Sequence, residues 1–295
     1  MNKKVLVTGG SGFLGSHLVD LLLDQKYKVT NVDKNKYLVK SNNYKYVNSE
    51  KLKNTKFKDL IKSNDIIFHF AAQSDIEESS RNPRDTLENN ILNTIEILDT
   101  LSKCKKNKLF VFASTLYVMG NQGSFYKTSK HCCEKIIFEY AKKFNIKYSI
   151  LRFGTIYGAR ASNLNSVQKI LSQTLKQSTI SINGKGDELR EYIHVKDAVR
   201  ACLNVINKKL YNKTIMITLN QKTTLKDLTN IINEMFNFKK KFKFLGSNKS
   251  HYKFTPYSVD DDTDIIKINL GHFRGLEEGL LDTINLIKKN KFDKN

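Results

Sequence analysis

A chain of 295 residues, 40% hydrophobic and 27% charged, is long enough for one large or two modest domains and too apolar to be disordered. Its formal net charge of +21 has three readings: nucleic-acid binding, attraction of an anionic substrate, or a lysine bias with no role. The lysines are dispersed, without a basic tail or an arginine-rich stripe, so nucleic acid is not an expected partner. No apolar run reaches membrane-spanning length, so no membrane partner is expected either. Cys104, Cys132, Cys133 and Cys202 show neither metal-ligand nor disulfide spacing, which reads as reduced thiols in a cytoplasmic protein that binds no metal. The start, MNKKVLV, carries an apolar run of only three residues and reads as a first strand, not an export signal.

Val5–Val7 forms that strand, and Phe13/Leu14, Leu18 and Leu21/Leu22 then recur at helical spacing. Between them lies TGGSGFLG, with Gly9, Gly12 and Gly15 three residues apart. Strand, glycine turn and helix form the context in which such a run binds a dinucleotide. Gly9 permits the tight turn, Gly12 lets a pyrophosphate approach the backbone, and Gly15 lets the helix sit close to the strand. Free N–H groups and the positive end of the helix dipole then meet the phosphates. Lys28–Lys34 reads as a second strand ending in Asp33, 18 residues past Gly15. An acidic residue at that distance reaches the adenosine ribose hydroxyls and repels a 2′-phosphate, so NAD is expected over NADP.

Residues 34–43 read as a loop, Tyr44–Val47 as a third strand and Glu50–Lys62 as a short helix. Asp65–Phe70 is a buried strand followed by Ala71 and Ala72, whose small side chains admit a flat ligand or close packing. His69 within it reads as a core histidine. Pro83 begins a long helix through Leu87, Ile91, Ile95 and Leu98. Leu109–Ala113 is a strand with Ser114 and Thr115 at its end. Phe125–Phe144 is a helix carrying Tyr126 and Lys130, and Tyr148–Phe153 is a strand before the turn at Gly154–Gly158. This alternation gives an α/β fold with a doubly wound parallel sheet, whose ligands bind at the C-terminal strand edge. The glycine turn, Asp33, Ala71-Ala72, Ser114-Thr115 and the 154–157 turn all fall there. Beyond residue 155, helices near 164–177, 224–236 and 276–289 mix with strands at 179–182, 192–195 and 214–218. The expected division is a dinucleotide-binding domain over 1–158, with 190–220 returning to it, and a smaller lobe from 159–189 and 221–295.

Tyr126 and Lys130 stand four apart and share one helix face. A phenol is a poor base at neutral pH, but an ammonium one turn away and an oxidised nicotinamide both favour phenolate. The pair can then remove a proton from a substrate hydroxyl as hydride leaves for the cofactor. Thr115 or Ser114 can hydrogen-bond the same hydroxyl.

Taken together, the stretches TGGSGFLGSHLV, HFAAQSDIEESSRNP, ENNILNT, FVFASTLYVMG, YKTSK, YSILRFGTIYGAR, GKGDELREYIHVKDAVRA and LGHFRGLEEGLLDTI resemble the extended short-chain dehydrogenase/reductases, specifically the NAD-dependent epimerase/dehydratases of nucleotide sugars. They run in family order from residue 5 to about 287. The resemblance implies a Rossmann-type fold with a smaller, partly interleaved C-terminal substrate lobe, NAD as cofactor and a nucleotide-diphosphate sugar as substrate. By the same resemblance Gly9, Gly12, Phe13, Leu14 and Asp33 hold the cofactor, with Ala71, Ala72, Ser74 and Asn89 alongside. Thr115, Tyr126 and Lys130 form the catalytic set, of which Tyr126 and Lys130 also meet the cofactor; Ser114 is the neighbour of Thr115 and its alternative. Arg190 matches an arginine that grips the substrate diphosphate, and Thr155 and Asn165 fall near positions that contact the nucleotide sugar.

The departures from the family carry as much. The 4,6-dehydratases place an Asp-Glu pair after the catalytic threonine, and the decarboxylating relatives an acid; here Leu116 and Tyr117 follow. No cysteine stands where the reductase–epimerases use one. Gly120 and Tyr126 are joined by NQGSF alone, where the family has a longer loop over the sugar, and Met119 replaces the usual tyrosine. The expected function is therefore C4 epimerisation of a nucleotide-diphosphate hexose through a 4-keto intermediate. The alternatives are a nucleotide-sugar dehydrogenase or reductase, and a non-catalytic NAD-fold binding protein that uses its basic surface. The family dimerises through helices that correspond to Pro83–Lys103 and Phe125–Phe144, so a homodimer is expected, with Ile136, Ile137 and Tyr140 in the contact or buried within the monomer.

Overall fold

The computed structural model describes residues 3–219, 221–235, 237, 239–246 and 265–292. Its first half runs β1 (Lys4–Thr8), α1 (Phe13–Asp24), β2 (Lys28–Asp33), β3 (Tyr44–Asn48), α2 (Asn54–Ser63), β4 (Ile66–His69), α3 (Ile76–Arg81), α4 (Pro83–Leu87), α5 (Asn93–Ser102), β5 (Leu109–Thr115), α6 (Ser124–Phe144) and β6 (Lys147–Phe153). The second half adds β7 (Thr155–Tyr157), α7 (Ser166–Thr174), β8 (Thr179–Ile182), β9 (Leu189–His194), α8 (Val195–Asn207), β10 (Lys213–Ile217), β11 (Lys222–Thr224), α9 (Leu225–Met235), β12 (Lys241–Phe244), β13 (Ile265–Lys267) and α10 (Leu276–Phe292). Phe236, at the end of the expected 224–236 helix, and residues 247–264 of the expected smaller lobe lie outside the described residues.

One parallel sheet of eight strands, in the order β13-β10-β6-β5-β4-β1-β2-β3, carries the fold. Its central strands are apolar on both faces because helices cover both, while the edge strands β3 and β13 are half-exposed. Val5 and Val7 point into one layer, against Leu18 and Leu22 of α1 and Ala198 and Val205 of α8. Leu6 points into the other, against Ile97 of α5 and Ile137 of α6. The strand order reverses between β1 and β4, which is where such sheets open a crevice at their C-terminal ends. A smaller lobe packs around Tyr157, Leu171, Tyr192, Leu228 and Leu280, and it holds a three-stranded sheet, β11-β9-β7, and the parallel pair β12-β8.

Three features differ from the sequence reading. The helix from Pro83 is not continuous: α4 and α5 are separated by a π-helical turn at Glu88–Leu92. Asn90 occupies that turn and points inward, where it bonds the backbone of Gln73 and the hydroxyl of Ser129, which accounts for the extra residue in the turn. Helix α3 was not anticipated, although Asp75 caps it by accepting from Glu78 N at 2.9 Å, a capping pattern legible as D-x-x-E. Finally, β9 joins the small sheet rather than the large one, while β13, from the stretch expected wholly in the smaller lobe, forms the eighth strand of the large sheet.

Candidate active site

The turn after β1 is built by close approach. Gly9 takes φ +74°, and a Cβ there would lie 2.5 Å from Ala71 N on the neighbouring strand's exit. A Cβ on Gly15 would lie 2.1 Å from Gly9 O, so only glycine lets α1 seat against the turn. Gly12 is the N-cap of α1, with extended backbone and no side-chain cap, so the first N–H groups of the helix have no partner within the protein's helix ladder. That is a cradle for phosphate oxygens. Asp33 closes it from the end of β2: its carboxylate accepts from Ser11 N at 3.0 Å and from Asn35 N at 2.9 Å. The remaining lone pairs of that carboxylate suit two ribose hydroxyls.

The ends of β4 and β5 form the next wall. Ala71, Ala72 and Ser74 line the same cleft as the glycine turn, and so does Asn89, which is exposed on the π-helical turn while Asn90 is committed inward. His69 borders the cleft but is 2% exposed and fully engaged. Thr94 gives its hydroxyl proton to Asn90 O, so it accepts from His69 Nε2 at 3.2 Å, and His69 Nδ1 accepts from Thr8 Oγ1 at 2.7 Å. Burial pushes the histidine well below its ordinary range, to about 3, with the Lys130 charge adding to the shift. It stays neutral and is structural, as the sequence suggested.

Helix α6 brings Tyr126 and Lys130 into the cleft together. Lys130 is 3% exposed, with Nζ 4.6 Å from the centre of the Phe112 ring. Desolvation lowers it to about 8, against the smaller upward pull of Cys133 and Glu134. The helix is pinned from beneath. Arg152 of β6 meets Glu134 through Nε at 3.0 Å and Nη2 at 2.6 Å, and Ser114 donates to the same carboxylate at 2.5 Å. Ser114 is therefore spent holding α6 to β5, although part of it borders the cleft. Thr115 accepts from Tyr117 N at 3.3 Å and keeps its own proton as a donor. Leu116, 5% exposed, follows it in the cleft wall as an apolar side chain.

The smaller lobe closes the far side. Thr155, Asn165 and Arg190 all line the cleft. Asn165 caps α7 by accepting from Gln168 N at 3.2 Å and donates to Ile156 O at 2.7 Å, so both ends of its amide are in use. Arg190 donates from Nη1 to Ser166 Oγ at 2.6 Å. Two charged lining residues of the smaller lobe carry no role in the sequence reading: Lys169, one turn into α7 on the same side as Ser166, and Glu191, 8% exposed with Oε2 buried and without a hydrogen-bond partner. The short 120–126 connection contributes Asn121 and Gln122 to the wall, and residues 162–164 face it from the smaller lobe. The cleft measures about 1430 Å³, larger than the 300–1,000 Å³ usual for one small ligand, which suits a dinucleotide and a second nucleotide side by side. Among the described residues no group of acids, histidines and cysteines could hold a metal ion.

Comparisons with known proteins place the chain in a family and a fold. A family model described as the NAD dependent epimerase/dehydratase family matches residues 5–217. A putative UDP-glucose 4-epimerase of Methanocaldococcus jannaschii is 30% identical over 256 residues, 80% of this chain and 83% of the relative. A UDP-N-acetyl-alpha-D-glucosaminuronate decarboxylase of Bacillus cytotoxicus is 24% identical across 99% of this chain and 100% of its own. Among solved structures, the UDP-glucuronic acid 4-epimerase of Bacillus cereus, in complex with UDP-glucuronic acid and NAD, superposes with a TM-score of 0.81 at 22% identity, covering 97% of this chain and 99% of that one. The relatives share a fold and differ in reaction. The chain belongs to the NAD dependent epimerase/dehydratase family.

Proposed function

We propose that the protein is an NAD-dependent nucleotide-sugar 4-epimerase. The observation that carries this reading is one cleft wall holding Thr115, Tyr126 and Lys130 with the apolar Leu116 next in line. Those three residues are the proton-handling set for oxidation and re-reduction at one carbon. Leu116 removes the acid that the resemblance assigns to elimination. Epimerase names among the similar proteins support the same reading, and their UDP-sugars are the first substrates to try.

The residues present fit NAD. The glycine turn leaves phosphate-binding N–H groups at the α1 N-terminus, and the Asp33 carboxylate faces the ribose side of that turn, where it repels a 2′-phosphate even with Lys34 beside it. Bound there, NAD supplies reversible hydride acceptance. Tyr126 takes the proton from the sugar's 4-hydroxyl and later returns it. Lys130 holds the phenolate by charge, and its burial beside Phe112 keeps that charge unscreened by water. Thr115 donates to the oxygen that carries the developing charge. Arg190 and Lys169 hold the diphosphate from the smaller lobe, leaving the sugar able to present either face to the cofactor.

The test is to incubate the purified protein with NAD and UDP-, dTDP-, GDP- or CDP-sugars and to follow carbon 4 by NMR. Inversion without net NADH is the expected result; stoichiometric NADH would assign a dehydrogenase instead. The protein is further proposed to act in the cytoplasm as a homodimer in polysaccharide biosynthesis. Cys104, Cys132, Cys133 and Cys202 are free thiols, which supports the compartment. For the dimer, Leu92 is 58% exposed beside α5, whereas Ile137 is buried in the monomer and Tyr140 donates to Asp99 at 2.5 Å between α5 and α6. Only part of the expected apolar contact is thus available to a second copy.

A further inference from the structure

The large sheet has two edges, and the one opposite the cleft is lined with lysine. Across the sheet from β10 to β2, the residue that opens each strand or directly precedes it is Lys213, Lys147, Lys108, Asp65, Lys4 and Lys28 in turn. Lys4 and Lys28 are direct register partners. Neighbouring strands lie ~4.8 Å apart, so the row extends roughly 25 Å. Its one acid, Asp65, is tied to Lys4 N at 3.0 Å. Each crossover helix runs back against the strands and ends at this same edge. There the chain places Lys26, Lys62, Lys103, Lys143 and Lys208, all exposed.

A helix C-terminus favours a cation, which accounts for the helix-end lysines. It does not account for those that open strands. Nor does it account for Lys26 at φ 63° and Lys209 at φ 52°, left-handed positions that glycine or asparagine fills at less cost. Around the cleft, by contrast, cations and acids alternate: Lys34 with Asp33, Arg190 with Glu191, and Asp75 and Glu77 on the rim. The positive charge is concentrated away from the substrate.

We propose that this N-terminal edge of the sheet is a docking surface for an anionic phospholipid bilayer. The lysines spread over the sheet and over the helix layers on both its faces, so they form a two-dimensional field that matches a plane of lipid phosphates better than a single nucleic-acid strand. Each is a compact ammonium, and no arginine stands among the strand-opening and helix-ending positions named at this edge. Phe144, 43% exposed between Lys143 and Lys147, offers one aromatic side chain to the headgroup layer. Docked in this way, the cleft faces away from the bilayer and stays open to soluble nucleotide sugars. The absence of a helix able to cross a membrane among the described residues is compatible with attachment to its surface.

Vesicle co-sedimentation tests this. At about 0.1 M salt the full chain is expected to sediment with phosphatidylglycerol-rich vesicles and not with pure phosphatidylcholine, and to be released at about 1 M salt, where charges are screened. Lys4→Glu/Lys28→Glu/Lys147→Glu should bind at least tenfold more weakly. The charge-matched control Lys226→Glu/Lys241→Glu/Lys243→Glu, in the smaller lobe, should bind as the parent does. Circular dichroism and sugar turnover check that the edge variant is folded, and the milder triple change to glutamine replaces it if it is not. Undiminished vesicle binding by the edge variant, equal losses in both variants, or displacement from vesicles by duplex RNA at equal phosphate would each overturn the proposal.

Discussion

The two edges of the large sheet are made of the same strands and have opposite character. At the C-terminal edge the connections are long, and they carry glycine at φ +74°, an inward-turned π-helical segment and acids interleaved with bases. At the N-terminal edge the charged side chains are mostly lysines, with Asp24 and Asp65 among them. Parallel topology sorts them: strand exits feed loops free to vary, and the entrances of β2, β4, β5, β6 and β10 follow helix ends. The difference bears directly on the net charge of +21. Had that charge served to steer an anionic substrate, it would crowd the cleft; the cleft is instead close to balanced.

The sharpest break between the edges is chemical. Tyr126→Phe removes the proton acceptor and leaves the helix face intact, so epimerisation should fall about 10³-fold, in the range that general acid–base groups supply, with the melting temperature unchanged. Lys130 adds a pH signature. Its folded value of about 8 lies below the ordinary lysine value, so turnover should decline above pH 8 as the ammonium is lost. The sign of the linkage separates this from denaturation. Between pH 8 and the unfolded lysine value the unfolded chain binds the extra proton, so the Lys130 contribution to stability rises with pH while activity falls. Parallel pH series of turnover and of chemical denaturation would show the two moving in opposite directions.

Acid stability is the next effect in size and lies at the C-terminal edge, buried behind the cleft wall at the last residue of β4. His69 is held neutral at about 3, below the unfolded value, so the unfolded chain takes up a proton first as pH drops below 6.5. The folded state should lose about 2 kcal/mol from this residue alone by pH 5. Urea midpoints across that range measure it, and His69→Phe, which fits the stack with Phe110 and Phe112, should flatten the slope. A smaller change is expected at the cleft rim. Asp33→Asn keeps the acceptor for one backbone N–H and removes the charge, so the preference for NAD over NADP should shrink about tenfold, roughly 1.4 kcal/mol, by equilibrium titration of both cofactors.

How far the sequence anticipated this arrangement depends on how local the cause is. The glycine turn, Asp33 and the Tyr126/Lys130 spacing sit within one or two elements, and their element contexts were legible from periodicity and turn chemistry. The commitment of Ser114 was not. Alternation along β5 puts Ser114 and Thr115 on opposite faces, but choosing between them needed Glu134 and Arg152, which come from two other elements. The π-helical turn was hidden for the same reason: Asn90 turns inward only because Gln73 and Ser129 are there to receive it. The lysine row was invisible as a row. Its members are scattered from Lys4 to Lys213, and only strand order and register bring them side by side.

The smallest predicted effect is the one that tests the separation of the edges most directly. Lys4 and Lys28 open adjacent parallel strands as register partners, both exposed, so their like charges repel across roughly 5 Å of well-solvated space. In water that repulsion is at most about 0.8 kcal/mol, and salt lowers it further. Lys28→Glu turns it into attraction and should raise folding stability by about 0.5 kcal/mol at low ionic strength. At about 1 M salt the Debye length is near 3 Å, so the gain should vanish. Turnover and NAD affinity should be unchanged at either salt, because the glycine turn lies at the other end of β1, past Thr8. A change in either would mean that the entrance edge communicates with the cleft through β1 and β2, and the two edges would then have to be treated as one electrostatic unit.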